Sequence, residues 1–132
     1  MSINEELKMQ PKLQWSELKK DSNGLVPVVV MDYKTDKLLM LAYMNEEAYY
    51  NTFKTGLMTY YSRSRKEQWV KGLTSGHLQY VKSIYADCDL DTLVAKVLQV
   101  GVPCHTGADT CFFNEIVNLD SIEDNPAKML KR

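Results

Sequence analysis

Two apolar runs, residues 25–31 and 38–44, stand on either side of the polar stretch 32–37, and this pairing commits the chain to a β-hairpin. The first run contains Pro27, which has no N–H to give a ladder, so that strand either lies at an edge or enters the sheet there. Asn45 follows as an N-cap, Glu46 and Glu47 occupy the first turn, and Gly56 stands where a helix would stop. Residues 45–55 therefore read as a helix. A strand over 57–62 leads into the basic run 63–66. A short strand over 69–71 and a loop over 71–76 come next, and a long strand over 77–86 delivers Asp87, Cys88 and Asp89 at its end. Residues 92–100 are apolar at 93, 94, 97 and 98, with an aspartate in front and Gly101 behind, which predicts a second helix. A loop over 104–110 and a final strand over 111–117 complete the pattern. The expectation is an α+β, β-dominated single domain of antiparallel strands with two short helices. It comprises an N-terminal extension over 1–20, from which Trp15 and Leu18 dock onto the body, a domain over 21–117 and a polar tail over 118–132.

At 132 residues the chain can bury a core without disulfide staples. A net charge of -1 supplies no global basic field, so non-specific nucleic-acid binding is not indicated. The first fifteen residues are polar and acidic where a secretory signal would be basic and then apolar, and no segment approaches the ~20 apolar residues that span a bilayer. These features predict a cytoplasmic protein whose thiols stay reduced.

All three cysteines crowd into the last third of the chain among hard oxygen donors, in the runs DCDLD (87–91) and CHTGADTC (104–111). Thiolates select zinc, whereas carboxylates prefer magnesium or calcium. Three thiolates are one ligand short of a closed tetrahedral site, and an open fourth position is what water activation requires. Three small buried hydrophobes are the plain alternative, but the neighbours of these cysteines are aspartates, threonines and glycine. No paired C-x2-C is present. On an extended strand Asp87, Asp89 and Asp91 would share one face, where only a cation or hydrogen-bond donors can relieve their repulsion; helix capping is the other reading. A helix of about ten residues between Cys88 and Cys104 would be roughly 15 Å long, so the two meet only if the chain doubles straight back or if two chains share the site. His105 is a fourth ligand, a general base or a polar loop residue. The run SRSRK (62–66) offers guanidinium forks and hydroxyls suited to phosphate, with a solvated loop as its alternative. Trp69 either stacks a base or sits in the core.

Taken in order, SRSRKEQWVKGLTSGHLQYVKSIYADCDLD (62–91) and GVPCHTGADTCFF (101–113) resemble phosphoribosyl-AMP cyclohydrolase, a family of histidine-biosynthesis enzymes. GLVPVVVMD (24–32), LMLAYMNEEA (39–48) and Thr55-Gly56 resemble it too, so the likeness runs from about Gly24 to Phe113. The resemblance implies hydrolytic opening of the adenine ring of phosphoribosyl-AMP at the N1–C6 bond by zinc-activated water. It implies an intertwined homodimer with zinc held by Cys88, Cys104 and Cys111, Cys88 coming from across the interface. It further implies magnesium at Asp87, Asp89 and Asp91, a general base at His105, and a small-molecule pocket lined by Arg63, Arg65, Lys71 and His77; Trp69 is the stacking candidate by residue type alone. Leu73 departs from the family pattern, which commonly has a polar residue there, and Thr110 replaces a frequent serine. Only about 15 residues follow Val117, too few for the fused second domain of many relatives, so a single activity is expected. The competing expectation is a structural Cys3His zinc module that binds nucleotide or phosphate without chemistry. A nucleoside deaminase is disfavoured, because its H-x-E and P-C-x-x-C patterns are missing.

Overall fold

The computed structural model describes residues 7–121. The hairpin forms as expected: β1 (Val26–Asp32) pairs antiparallel with β2 (Leu38–Met44). Pro27 opposes Tyr43 of β2, while the parallel pairing of β1 with β6 (Leu93–Gln99) starts one residue later, at Val28. The proline thus enters the sheet just before its N–H would be needed on the second side. Helix α1 (Glu46–Thr55) begins where the side chain of Asn45 accepts the Ala48 N–H at 2.9 Å and ends at Gly56, which is left-handed at φ 80°. A second hairpin, β3 (Thr59–Ser62) with β4 (Glu67–Val70), packs against β2 and α1. β5 (Gln79–Ala86) returns antiparallel to β6. The result is a four-stranded sheet in the order β2-β1-β6-β5 and a separate two-stranded sheet, β3-β4.

One expected helix is a strand. Residues 93, 94, 97 and 98 satisfy a helical stripe, yet the buried set is Leu93, Ala95 and Val97, with period two. β6 lies between β1 and β5, so its backbone is laddered on both sides over residues 93–97. The apolar residues on both its faces are those of a central strand, which local periodicity alone does not distinguish from a helix. The aspartates accordingly sit in a tight turn between β5 and β6 rather than on an extended strand. The expected final strand over 111–117 is irregular as well. Its Cys111 N–H reaches the carbonyl of Leu39 on β2 at 2.8 Å, and no further ladder forms within the described chain. The start of the expected N-terminal extension, before position 7, and the expected polar tail beyond 121 lie outside the described residues.

Val26, Val28 and Val30 of β1 and Ala95 and Val97 of β6 have no exposed surface, and they pack with Met44, Ala48, Phe53 and Met58 into one core. Trp15 and Leu18 are buried against it, as expected from the sequence. A buried polar chain crosses this core between the sheets. The Tyr60 hydroxyl donates to Gln79 Oε1 at 2.6 Å, and Gln79 Nε2 donates to Gln99 Oε1 at 2.8 Å. Burial holds the Tyr60 phenol well above its ordinary pKa, so it remains a donor. Tyr60→Phe leaves the Gln79 acceptor buried without a partner, and an expected loss of about 1–3 kcal/mol should appear in urea-unfolding midpoints. An unchanged midpoint would show that the chain contributes nothing to stability.

Candidate active site

Cys104 and Cys111 meet through the loop that comes after β6. Cys104 is buried, Cys111 half-buried, and each thiol shifts the other's titration. Cys111 is held by its N–H on Leu39, and the adjoining Asp109 is clasped by the ammonium of Lys37, so the start of β2 anchors the loop. The Thr106 hydroxyl lies 3.0 Å from Cys104 Sγ and holds that thiol below its ordinary pKa, while burial pushes the Cys111 thiol up. Lys71 reaches in from the end of β4 to donate to the carbonyl of Pro103. Desolvation pulls its ammonium below the usual value, against the opposing pull of Cys111 and Cys104. A cation beside two thiols favours their deprotonated, metal-binding form.

Lys71 also lines a cavity of about 580 Å³. Trp69, Ser62, Ser64, Arg65, Leu73 and His105 line it as well. Trp69 is tilted against Tyr60 with ring centroids 5.2 Å apart, and the Lys71 ammonium stands 5.6 Å from the Trp69 ring. Trp69 is half-buried, so one face serves the core and the other the cavity. Arg63 faces a neighbouring cavity, its guanidinium 3.9 Å from the centroid of Tyr43. His77 lies outside both cavities. Its Nδ1 is 3.2 Å from the carbonyl of Val102, and its ring fills the space beside Gly101. Leu73 lines the same cavity as Lys71 and is 71% exposed, so its departure from the family pattern falls on solvent-facing surface.

The aspartates form a separate constellation. Ligand atoms of Asp87, Asp89 and Asp91 all lie within 4.8 Å of one another, the only such trio of His, Cys, Asp or Glu among the described residues. Leu90 adopts φ 64°, a costly conformation for leucine, and it is kept there because its N–H bonds to Asp87 and its carbonyl accepts the Lys19 N–H at 2.8 Å. Asp87 Oδ1 accepts from the N–H groups of Asp91 at 3.1 Å and Thr92 at 3.3 Å. Slight desolvation raises the Asp87 carboxyl, but these donors and the hydrogen bonds to Asp89 and Asp91 outweigh it and leave the pKa lowered; hydrogen bonding to Asp91 and Asp87 raises Asp89. Asp87 therefore both caps the turn and joins the cluster. Cys88 is exposed in the same turn, before β6 begins, whereas Cys104 comes after β6 ends. Seven strand residues span roughly 20 Å, and Cys88 joins no three-residue ligand group within the described chain.

Sequence reasoning passes over Thr106, Tyr43 and the Lys37–Asp109 clasp. A hydroxyl two residues after a loop cysteine is a legible signal for the first. The other two depend on neighbours far apart in sequence.

The model of the phosphoribosyl-AMP cyclohydrolase family matches residues 40–113. The chain is similar to the phosphoribosyl-AMP cyclohydrolase of Streptococcus mutans, 63% identical over 99 residues, covering 75% of this chain and 91% of that protein. It is 52% identical to the Streptomyces avermitilis protein of the same name over 112 residues, covering 85% and 84% of the two chains. The Bacillus cytotoxicus protein of that name is 57% identical over 96 residues, covering 73% and 95%.

Gly101 explains the placement of His77. A Cβ there would stand 2.6 Å from His77 Cδ2, and the residue itself has φ 66°. Gly101→Ala should displace the ring and loosen the segment leading to Cys104, costing about 1–3 kcal/mol. Thermal unfolding of the purified variant checks this, and a wild-type melting temperature would count against His77 as a strut.

Proposed function

This chain belongs to the phosphoribosyl-AMP cyclohydrolase family, and from that premise we propose that it opens the adenine ring of 1-(5-phosphoribosyl)-AMP in histidine biosynthesis. Water adds to C6, the N1–C6 bond breaks, C6 keeps its exocyclic nitrogen as a carboxamide, and N1 departs with a proton. The observation that supports this reading is Lys71, which lines one cavity with Trp69 and His105 and stands close enough to Cys104 and Cys111 for their charges to act on it.

Soft sulfur donors suit zinc, and Cys104 and Cys111 would hold it with Cys88 of a second copy. When bound there, zinc supplies the Lewis acidity that lowers the pKa of a water near neutrality. His105, exposed and lining that cavity, takes the proton from the attacking water at a ring nitrogen and returns it to N1 as the bond breaks. Trp69 offers its free face to the purine. Because Cys88 lies between Asp87 and Asp89, donating it to a partner's cavity brings the aspartates along, and their hard oxygens would hold magnesium beside the substrate's phosphates.

Exposed apolar surface supports a second copy. Leu41, Val29, Val94 and Tyr85 form one row across all four strands of the main sheet, with Leu41 43% and Tyr85 62% exposed. Phe112, Phe113, Ile116 and Val117, directly after Cys111, are exposed too.

Incubation with phosphoribosyl-AMP should change the ultraviolet spectrum as the ring opens, stop on zinc chelation and resume with added zinc. A folded, zinc-loaded protein that leaves the substrate intact would overturn the function. His105→Ala should keep zinc and lose about 10²–10⁴-fold in rate; loss of zinc would instead favour a closed structural site. Cys88→Ser and Cys104→Ser should each be inactive, yet mixing and reassembling them should restore about a quarter of wild-type activity, since heterodimers regain one intact site. No recovery would count against sharing between chains.

A further inference from the structure

Ser62, Ser64 and Trp69 border two cavities at once, the one of about 580 Å³ that Lys71 lines and a neighbouring one of about 480 Å³ that also contains Ala42, Tyr43, Tyr61 and Arg63. The first already contains Lys71 and His105. The second has one cation, Arg63, lying over Tyr43 at 3.9 Å. Stacking fixes the plane of the guanidinium, and among the described residues its N–H groups make no hydrogen bond, so the fork is oriented and its donors are unspent. The Ser62 and Ser64 hydroxyls, 3.4 Å apart, add donors on the dividing ridge. An oriented fork beside two hydroxyls suits a phosphate.

The substrate in the proposed function carries two phosphates, and this inference rests on that reading. The reacting C6 must face the paired thiols, and N1 with its phosphoribosyl arm is bonded directly to C6. The N9 ribose leaves the purine at the opposite end. With the ring against Trp69 and C6 towards Cys104, N9 points over the ridge, away from Lys71 and His105. We infer that the Arg63–Tyr43 cavity seats the 5′-phosphate of the AMP half of the substrate, while the N1 phosphoribosyl arm stays on the Lys71 side. Arg63 is then a binding residue and Tyr43 a positioning residue that acts through it.

The test is calorimetric titration of the zinc-loaded full chain with AMP and with adenosine, which differ only in that phosphate and require no turnover. Wild type should bind AMP more tightly than adenosine. Arg63→Gln should erase that advantage by about tenfold or more and leave adenosine binding as it was. Arg63→Lys should restore only part of it, because an ammonium neither stacks nor forks. Tyr43→Leu should reduce the advantage and Tyr43→Phe should keep it, a rescue that separates stacking from a hydroxyl contact. With phosphoribosyl-AMP as substrate, the Arg63→Gln loss should fall on KM more than on kcat. An AMP advantage that survives Arg63→Gln, or an equal loss for adenosine, overturns the assignment. Absence of ring opening in the wild type overturns the proposed function instead, and the binding ratio is read independently of it.

Discussion

The buried amide of Gln79 is the contact on which the rest of the arrangement depends. Gln79 has no exposed surface, and it links Tyr60 of β3 to Gln99 at the end of β6. The two sheets share no continuous ladder; among the described residues an isolated bridge between Leu57 and Tyr80 joins them nearby. A buried amide stripped of its partners costs more than a satisfied one contributes, so the network tolerates few alternative placements of one sheet on the other. The cavity needs that restriction. Trp69 and Lys71 arrive on the β3-β4 hairpin, whereas His105 arrives beside Cys104 on the loop after β6. A slip between the sheets would part the tryptophan face and the lysine from the thiols.

β6 has a second consequence. As a central strand it holds its two flanking segments apart, so the Asp87–Cys88–Asp89 turn and the Cys104–Cys111 loop belong to opposite ends of one strand. Each end is built with care. The turn holds Leu90 in a left-handed conformation to gather three carboxylates, and the loop is tied to β2 by Cys111 and by the Lys37–Asp109 clasp. Each half is ordered on its own, and neither offers three thiolates.

Elements governed by local rules were legible in the sequence: the first hairpin, α1 between Asn45 and Gly56, and the burial of Trp15. β6 was not, because a central strand with apolar residues on both faces writes no clean alternation, and Leu93, Val94, Val97 and Leu98 happen to fall at helical spacing. Residues 111–117 failed for the opposite reason. A β-prone run becomes a strand only beside a free ladder, and the described chain gives this one a single hydrogen bond on Leu39. In the site, the residue types were readable, but Thr106 on Cys104, Tyr43 beneath Arg63 and the retreat of His77 behind Gly101 are products of tertiary approach.

The proposed division of ligands between two chains carries a thermodynamic consequence. Zinc that binds only the assembled pair stabilises association by mass action, and association in turn raises zinc affinity by the same factor. The burial of Cys104 and the exposure of Cys88 suit such coupling. In the proposed site one half of the donor set would be held beside the Lys71 ammonium, while the other would stand on an exposed turn where a partner can reach it. An apolar row across the sheet and the phenylalanines after Cys111 would supply the non-directional part of that association. The metal would supply its register, because thiolates ligate within a few tenths of an ångström whereas apolar faces can slide. In that arrangement catalytic competence and correct assembly are a single condition, since a misaligned pair buries its apolar surface but completes no site.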